Sequence, residues 1–432
     1  MNHQALLFPE LELEAKRYKN GNANKLDNED ASIHNWYRFV LSFPPHLVRE
    51  YIRKFNLKSR ETILDPFCGT GTTLVEAKLQ GLHGIGIEAN PMAYFASRIK
   101  TDFDIDPDIL VDDSFRIAEK AESIIKHSDS KDLNSLTSEE SSLLLRDSIS
   151  PIPLHKTLIL LNTINEFNSK FKNHQLLALA TSTIKNASNL HFGPEVGVSK
   201  RKKLDADVIY DWIALIKSMA NDIRYLEQQE YPPSHVYHGD SREMSPYLRP
   251  HSIDAVFTSP PYPNEKDYTR STRLESVLLG FIKDKAGLRE IKKSLLRSNS
   301  RNVYKGDDDD KYITNFPNII SIADEIENKR IKLNKTSGFE KMYHKITKLY
   351  FGGMARHLQE MKPYLKKNSL LGYVVGDQAS YLQVHIPTGE IISDIAEHLG
   401  YSLISIDLFR TRFATVTKKE MREEVVVLEW KG

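Results

Sequence analysis

The sequence predicts an α/β fold built on a mostly parallel sheet. Residues 61–90, "ETILDPFCGTGTTLVEAKLQGLHGIGIEAN", contain a short apolar strand, a glycine turn, a helix with apolar residues three to four positions apart, and a second buried strand. Such a βαβ unit brings its two strands parallel through a right-handed crossover. Strand signals return at 234–262 and again beyond residue 350, and the segments between them are helical and polar.

Bulk properties restrict the class of protein. The chain has 432 residues, 40% of them hydrophobic, which suits one large domain with insertions or two to three domains. No run has the pattern of a signal peptide or a membrane span, so we expect a soluble intracellular protein. The single cysteine, Cys68, excludes an internal disulfide and a thiolate zinc cluster, and the histidines show no metal-ligand spacing, so no metal is expected.

Two insertions interrupt the predicted sheet. We expect core segments and insertions in the order core 1–104, helical insertion 105–231, core 232–266, second insertion 267–346 and core 347–432. The last two strands, "SLISIDLF" and "EEVVVLEW", are expected to pair antiparallel and close the sheet. The acidic run "GDDDDK" at 306–311 is interpreted as a solvated loop.

The glycine turn "DPFCGTGTT" (65–73) leads into a helix. Gly69 and Gly71 let the backbone approach a ligand at the helix N-terminus, where free N–H groups favour polar or anionic groups. Leu74 stands where a dinucleotide fold would need a third glycine, which disfavours a nicotinamide cofactor. Glu88 ends the second strand, where a carboxylate can accept hydrogen bonds from both ribose hydroxyls of a nucleoside.

A second unusual corner is "VFTSPPYPNEKDYTR" (256–270), in which two prolines and a tyrosine follow a buried strand. The prolines remove two backbone donors and fix two φ angles. A strand terminator would explain an isolated Pro-Pro pair. The glycine turn elsewhere in the chain favours a functional corner instead.

Taken in order, these motifs resemble the S-adenosylmethionine-dependent DNA amino-methyltransferases of bacterial modification systems. The resemblance rests on the glycine turn, Glu88, Asp240 in "HGDSRE" and "TSPPY" (258–262), and it extends to "HNWYRFVLSFPPHLVREYI" (34–52), which is similar to the segment that closes over the methionine end of the cofactor. It implies a Rossmann-like class I methyltransferase fold, with a seven-stranded, mostly parallel sheet and a C-terminal antiparallel hairpin. The two insertions match no part of the pattern.

The resemblance also implies a division of labour among residues. Those expected to bind S-adenosylmethionine are Phe43, Asp65, Phe67, Gly69, Thr70, Gly71, Thr72, Thr73, Glu88, Asp240 and Thr258. Among them, Glu88 would bind the ribose hydroxyls and Asp240 the adenine amino group, whereas Asp65 and the glycines would line the methionine and ribose side. The residues expected to hold the target base are Ser259, Pro260, Pro261 and Tyr262.

The proline corner suits the chemistry of an exocyclic amine, whose lone pair is delocalised into the base. Two acceptors that receive both N–H protons, the Ser259 hydroxyl oxygen and the Pro260 carbonyl, would favour a pyramidal, nucleophilic nitrogen. Tyr262 would stack on the base after it swings out of the duplex. Methylation of cytosine carbon 5 is not expected, because that reaction needs a thiolate and Cys68 lies inside the glycine turn.

The choice of base rests on Ser259. Its hydroxyl can accept from the amine and donate elsewhere, which favours 4-methylcytosine, with 6-methyladenine as the alternative. Two further alternatives stay open: an RNA guanine amino-methyltransferase, since such enzymes carry a similar "DPFCGTG" turn, and a catalytically idle recognition subunit.

Double-stranded DNA is the expected partner, in the bacterial cytoplasm at the nucleoid, with a cognate restriction endonuclease acting separately. The segment 193–205 is interpreted as a mobile basic loop that contacts phosphates. The residues expected to bind DNA are Lys200, Arg201, Lys202, Lys203, Arg270, Arg410 and Arg412.

Overall fold

The computed structural model describes residues 30, 32–38, 42–129, 132–193, 195–227, 229–264, 266–414 and 419–432. The first twenty residues, in which we expect no signal peptide, lie outside this range. Parts of segments 34–52 and 193–205 also lie outside it. The strands in the described residues are β1 (Thr62–Asp65), β2 (His83–Glu88), β3 (Leu190–Phe192), β4 (Val196–Val198), β5 (Ser234–His238), β6 (Ile253–Thr258), β7 (Leu365–Gly376), β8 (Ser402–Ala414) and β9 (Lys419–Trp430).

Seven of these strands form one sheet in the order β5-β2-β1-β6-β7-β9-β8. Strands β5, β2, β1, β6 and β7 pair in parallel, and β9 runs antiparallel to both of its neighbours. The predicted α/β fold, with its mostly parallel seven-stranded sheet and its C-terminal antiparallel pair, is therefore confirmed. The chain builds outward from β1 to β2 and β5 and then crosses to β6, so a topological switch point lies between β1 and β6.

The sheet is covered by helices on both faces. The helices of eight or more residues are Pro45–Lys54, Thr72–Leu79, Pro91–Lys100, Pro107–His127, Pro151–Glu166, Lys172–Ser182, Val208–Leu226, Lys285–Ser294, Pro317–Lys332, Tyr343–Met361 and Thr388–His398. Many begin with proline, whose missing N–H costs nothing in the first helical turn. Among the described residues, every helix is too short or too polar to span a lipid bilayer.

Alternate residues of the central strands pack into two hydrophobic clusters, one on each face of the sheet. Ile63 and Phe257 pack in a cluster with the helix Pro45–Lys54, whereas Leu64 and Val256 pack with the helix Tyr343–Met361 on the opposite face. This alternation follows from the two-residue period of a strand, and it explains why both strands consist of apolar runs. The two clusters hold the carboxyl ends of β1 and β6 at a fixed spacing.

The first insertion packs its helices around Trp212, which is fully buried and donates its indole N–H to the Gln175 carbonyl (2.9 Å). The same core includes Met92 and Phe95 from the helix Pro91–Lys100. The expectation of a wholly helical middle was wrong, because β3 and β4 form a small antiparallel hairpin there. Segment 193–205, interpreted as a mobile loop, therefore contributes one strand and becomes irregular after Val198.

The acidic run of the second insertion is also not a solvated loop. Asp309 is buried and accepts hydrogen bonds from Arg242 and from Arg356, the latter at 3.4 Å. Asp307 pairs with Arg297 through two contacts of 2.8 Å. Because buried carboxylates need partners, arginines distant in sequence fold this run against the helix Tyr343–Met361.

Replacing Gly352 with alanine should destabilise the protein, although alanine normally stabilises a helix interior by about 1 kcal/mol relative to glycine. A Cβ atom on Gly352 would lie 2.0 Å from the Asp309 carbonyl oxygen, so the acidic segment would have to move. We expect urea denaturation to show a loss of about 1–3 kcal/mol in the free energy of unfolding.

Gly287→Ala is the matched control, since the Cβ of this helical glycine would meet its nearest neighbour, Asp284 Oδ1, at an ordinary 3.4 Å. The midpoint of its urea denaturation curve should stay unchanged or rise relative to the wild type. Equal midpoints for the two variants would show that the acidic segment is not packed against Gly352.

Candidate active site

A cavity of about 490 Å³ opens at the carboxyl ends of β1, β2 and β6. Its volume is in the range of small-molecule sites, and its position is the crevice that α/β sheets use for ligands. The predicted site residues that line it are Phe43, Phe67, Gly69, Thr70, Thr72, Glu88, Ser259, Pro260, Pro261, Tyr262, Arg410 and Arg412. The glycine turn and the proline corner, which are far apart in sequence, thus face one space.

Other predicted site residues lie outside the cavity wall. Among the described residues, the cavity lining does not include Asp65, Gly71, Thr73, Asp240, Thr258, Lys200, Arg201, Lys202, Lys203 and Arg270. Some of these support the wall from behind, and the basic segment lies elsewhere on the surface.

Asp65 and Thr258 form a hydrogen-bonded pair beneath the cavity. The Thr258 hydroxyl donates to Asp65 Oδ1 at 2.6 Å, and the Phe67 N–H donates to the same oxygen at 3.2 Å. Both side chains are fully buried, and burial raises the pKa of Asp65 to about 6. Asp65, expected on the methionine side of the cofactor, lies behind the cavity wall, where its Oδ1 joins β1 to β6.

Glu88 ends β2 at the cavity wall. Its Oε2 accepts from the Gly69 N–H at 2.8 Å and its Oε1 from the Asn90 N–H at 2.7 Å. Burial raises its pKa to about 7, even though these backbone hydrogen bonds favour the ionised form. Each carboxylate oxygen keeps a lone pair, so the group can accept two more hydrogen bonds from the cavity.

The two glycines of the turn have different roles. Both adopt positive φ, +51° at Gly69 and +83° at Gly71, which glycine tolerates. A Cβ on Gly69 would meet nothing within 4 Å, whereas one on Gly71 would lie 2.9 Å from Ser97 Cβ. Gly71, expected to let the backbone approach a ligand, thus also permits close packing against the next helix.

Asp240 is held by an arginine two residues further along the chain. Arg242 donates from Nε to Oδ1 at 2.9 Å and from Nη2 to Oδ2 at 2.6 Å, and its other terminal nitrogen reaches Asp309. Asp240, expected to accept a hydrogen bond from the adenine amino group, is not part of the cavity lining. Its neighbours Gly239 and Ser241 line the cavity in its place.

Ser259 and Tyr262 lie on the side of the cavity formed by β6 and β7. The Ser259 hydroxyl donates to the Val374 carbonyl at 3.0 Å and also interacts with the Tyr262 phenol, so its oxygen can offer one lone pair to a further donor. The Tyr262 N–H donates to the Tyr268 phenol oxygen at 3.1 Å, which fixes the corner after the two prolines. Burial raises the pKa of the Tyr262 phenol above its usual value, so the ring stays neutral.

Several residues that line the cavity were not predicted from the sequence. They come from the corner, the second insertion and the C-terminal strands, and include Asn264, Lys266, Tyr268, Ser298, Asn299, Asn302, Gln378 and Glu423. Glu423 could have been found, because pairing the last two strands sets it opposite Arg410. The insertion residues could not, since they reach the cavity through contacts that no local pattern encodes.

The basic segment after β4 is exposed. Lys203 donates its backbone N–H to Asn189 Oδ1 at 2.8 Å and its ammonium to the Lys185 carbonyl at 3.2 Å. Arg270 lies 3.5 Å from Glu195 in the β3–β4 hairpin, so the first insertion contacts the segment after the proline corner. These cations lie outside the cavity.

The segment 34–52 is anchored at both ends of its described part. His34 Nε2 lies 2.8 Å from Glu76 Oε1, and Arg49 donates to Glu76 Oε2 at 3.0 Å. Phe43 lines the cavity and packs edge-on against Phe257 with ring centroids 5.8 Å apart. Residues 39–41 lie outside the described part of the chain.

A Rossmann-like sheet with a glycine turn after β1, a carboxylate ending β2 and a proline corner after β6 defines the class of S-adenosylmethionine-dependent methyltransferases. Comparisons with known proteins refine the class. The sequence model of the N6/N4 DNA methylase family matches residues 12–97.

Three relatives are Type II methyltransferases. M.BsoBI of Geobacillus stearothermophilus is 27% identical over 310 residues, which cover 64% of this chain and 58% of that protein. M.AvaI of Nostoc sp. is 26% identical over 408 residues, 88% of this chain and 81% of the relative. M.MvaI of Kocuria varians is 22% identical over 389 residues, 85% and 82% of the two chains. The chain is therefore similar over most of its length to Type II methyltransferases, and its N-terminal part matches a DNA methylase family whose Type II members use S-adenosylmethionine.

Alanine substitutions at the two glycines of the turn should destabilise the protein by different amounts. Gly69→Ala should lower the free energy of unfolding by about 1–2 kcal/mol, the cost of a left-handed alanine. Gly71→Ala adds the clash with Ser97 and should cost about 2–5 kcal/mol. Urea denaturation of both variants without ligand measures this, and equal losses would show that the packing against Ser97 carries no energy.

Proposed function

We propose that the protein is a site-specific DNA methyltransferase that modifies the exocyclic 4-amino group of a cytosine swung out of double-stranded DNA. The observation that carries the proposal is the Ser259 hydroxyl, which donates to the Val374 carbonyl, interacts with the Tyr262 phenol and can offer one lone pair to a donor in the cavity. The same cavity is lined by the glycine turn, so a base at Ser259 would face a ligand at Gly69.

The residues of the glycine-turn half fit S-adenosylmethionine. Glu88 offers two carboxylate oxygens to ribose hydroxyls, and the open space above Gly69 accommodates a close ligand backbone. Phe43 and Phe67 provide apolar wall on either side. When bound, S-adenosylmethionine supplies an electrophilic methyl group on a sulfonium centre.

The residues of the proline corner would position and activate the amine. The Ser259 oxygen and the Pro260 carbonyl would each accept one N–H of the target amino group, which localises the nitrogen lone pair on the opposite side. The prolines hold the corner without a competing N–H. The Tyr262 ring would stack on the base, and the methylated amine would release its proton to solvent or to Ser259.

Cytosine is favoured over adenine because of how Ser259 is bonded. A carboxylate at this position could only accept, whereas the Ser259 hydroxyl donates to Val374 and still accepts from the amine. Adenine, methylated at its 6-amino group, is the alternative product, because pocket shape can override a single acceptor. Since the relatives are Type II methyltransferases, we propose that a cognate endonuclease acts as a separate protein.

The product is the direct test of this proposal. Unmethylated genomic DNA treated with the purified protein and S-adenosylmethionine should yield 4-methylcytosine when its nucleosides are separated and identified by mass spectrometry. Detection of 6-methyladenine in its place would reject the proposed base. Methylation of transfer RNA but not of DNA would support the RNA alternative, and cofactor binding with no methyl transfer would support an idle subunit.

Ser259→Ala should lower kcat by about 10- to 100-fold, because the lost acceptor acts on the amine as it becomes pyramidal. The dissociation constant for S-adenosylmethionine, measured by calorimetry, should change little. Ser252→Ala is the control, since this serine precedes the opposite end of β6 and donates to the Arg249 carbonyl at 2.6 Å. Equal turnover in the two variants would exclude Ser259 from the reaction.

Cofactor affinity should depend on pH through Glu88. Its pKa of about 7 means that a proton competes with the donors of the ribose below neutral pH, so binding should weaken as pH falls. The loss approaches tenfold per pH unit once the carboxyl group is mainly protonated. Calorimetric titration from pH 8 to pH 5.5 should show this slope for the wild type and a flatter one for Glu88→Gln. Identical slopes would contradict the assignment of Glu88.

A further inference from the structure

We infer that Arg410, held in place by Glu423, reads the target base by donating hydrogen bonds to the ring acceptors next to the amino group. This inference rests on the proposed function, because it concerns the base that Ser259 and Pro260 would hold. It assigns to β8 and β9 a part in base choice, in addition to closing the sheet.

The geometry places this arginine beside the proline corner. Arg410 lines the same cavity as Ser259 and Tyr262, and Arg410 Nε donates to Glu423 Oε2 at 2.6 Å. A Cβ on Gly376 would lie 3.0 Å from Glu423 Cγ and 3.2 Å from Tyr262 Cε2, so the carboxylate and the aromatic ring flank one glycine at the end of β7. Arg410, Glu423 and Tyr262 therefore form one continuous wall.

The two cavity arginines differ in the donors that remain. One terminal nitrogen of Arg412 donates to the Asp377 carbonyl (3.1 Å) and to Gln378 Oε1 (3.3 Å). In the described part of the chain, neither terminal nitrogen of Arg410 has a hydrogen-bond partner. Arg410 is thus the arginine with a free donor edge at the cavity.

Its ion pair fixes the orientation of the guanidinium without neutralising this part of the cavity. Glu423 is buried and pairs with Arg410 at 2.6 Å and with Arg412 at 3.5 Å, so the three groups together keep one positive charge. A guanidinium fixed at Nε still presents its terminal N–H donors in one plane, which suits recognition of a flat, neutral ligand. A base edge meets this description better than a DNA backbone.

The acceptors of cytosine match such an edge. Next to its 4-amino group, cytosine has the acceptor N3 and then the acceptor O2, so two donors in one plane are both satisfied. Adenine has the acceptor N1 next to its 6-amino group, followed by a C–H. A second donor aimed there would be left unpaired, which is costly in a closed site and disfavours adenine.

The test is a chemical double-mutant cycle on a mapped site. Sequencing of DNA methylated by the protein locates the target cytosine, and a duplex oligonucleotide is then made with 3-deazacytosine at that position, which replaces N3 by C–H. The wild type should methylate it about 10- to 100-fold more slowly in single turnover than the ordinary duplex. On the ordinary duplex, the single-turnover rate of Arg410→Met should be lower than that of the wild type by a similar factor. On the analogue, the rate of this variant should fall by no more than about a further twofold.

Arg422→Met is the matched control. Arg422 lies on β9 beside Glu423, pairs with Glu424 at 2.7 Å and does not line the cavity. This variant should show the full wild-type loss on the analogue, which corrects for any change in amine reactivity. If Arg410→Met also shows the full loss, Arg410 does not read the base.

Salt dependence and product identity separate the remaining outcomes. Arg410→Met should leave the slope of log affinity against log salt unchanged, and a fall of about 0.9 would identify a phosphate contact and overturn the inference. A wild-type product of 6-methyladenine would overturn the proposed function together with this inference. A 4-methylcytosine product without coupling between Arg410 and N3 would overturn this inference alone.

Discussion

A buried hydrogen bond of 2.6 Å, from the Thr258 hydroxyl to Asp65 Oδ1, joins the two halves of the site. The Asp65 carboxylate also accepts from the Phe67 N–H, so one group sets both the glycine turn after β1 and the last residue before the proline corner. Because β1 and β6 are parallel neighbours, both corners leave the sheet at the same edge. Transfer of a group between two ligands requires a fixed distance, and this buried contact holds the two corners at one.

The second insertion is tied to this frame by a buried ion-pair bridge. Arg242, next to the loop that lines the cavity, pairs with Asp240 of the core and with Asp309 of the insertion, while Arg297 holds Asp307 within the insertion. Such pairs are weak evidence for stability, but removing one partner leaves a buried charge uncompensated. The bridge therefore specifies where the insertion packs, and this packing brings Ser298, Asn299 and Asn302 to the cavity wall.

The sequence predicted what local periodicity encodes. The βαβ unit, the glycine turn, the corner at Ser259 and the antiparallel final strands each follow from patterns within about thirty residues, and the sheet confirmed them. The acidic run was misread as a solvated loop because its partners Arg242 and Arg356 lie far from it in sequence and bury Asp309. The β3–β4 hairpin was missed since its three-residue strands are too short to show alternation. Gly71 matched a ligand pattern, yet the tight contact it permits is with Ser97.

Charge divides the basic residues into two groups with different uses. In the cavity, Arg410 and Arg412 share the carboxylate of Glu423, so their donors are directional and one of their two positive charges is balanced. Beyond β4, Lys200 and Arg201 are exposed, and in the described residues neither has a carboxylate partner. Arginines fixed by a carboxylate suit directional hydrogen bonds at short range, whereas unpaired surface cations act on phosphates at longer range and release counterions. A chain with a net charge of +1 can therefore still hold a strongly anionic duplex, because what matters is where the unpaired cations lie.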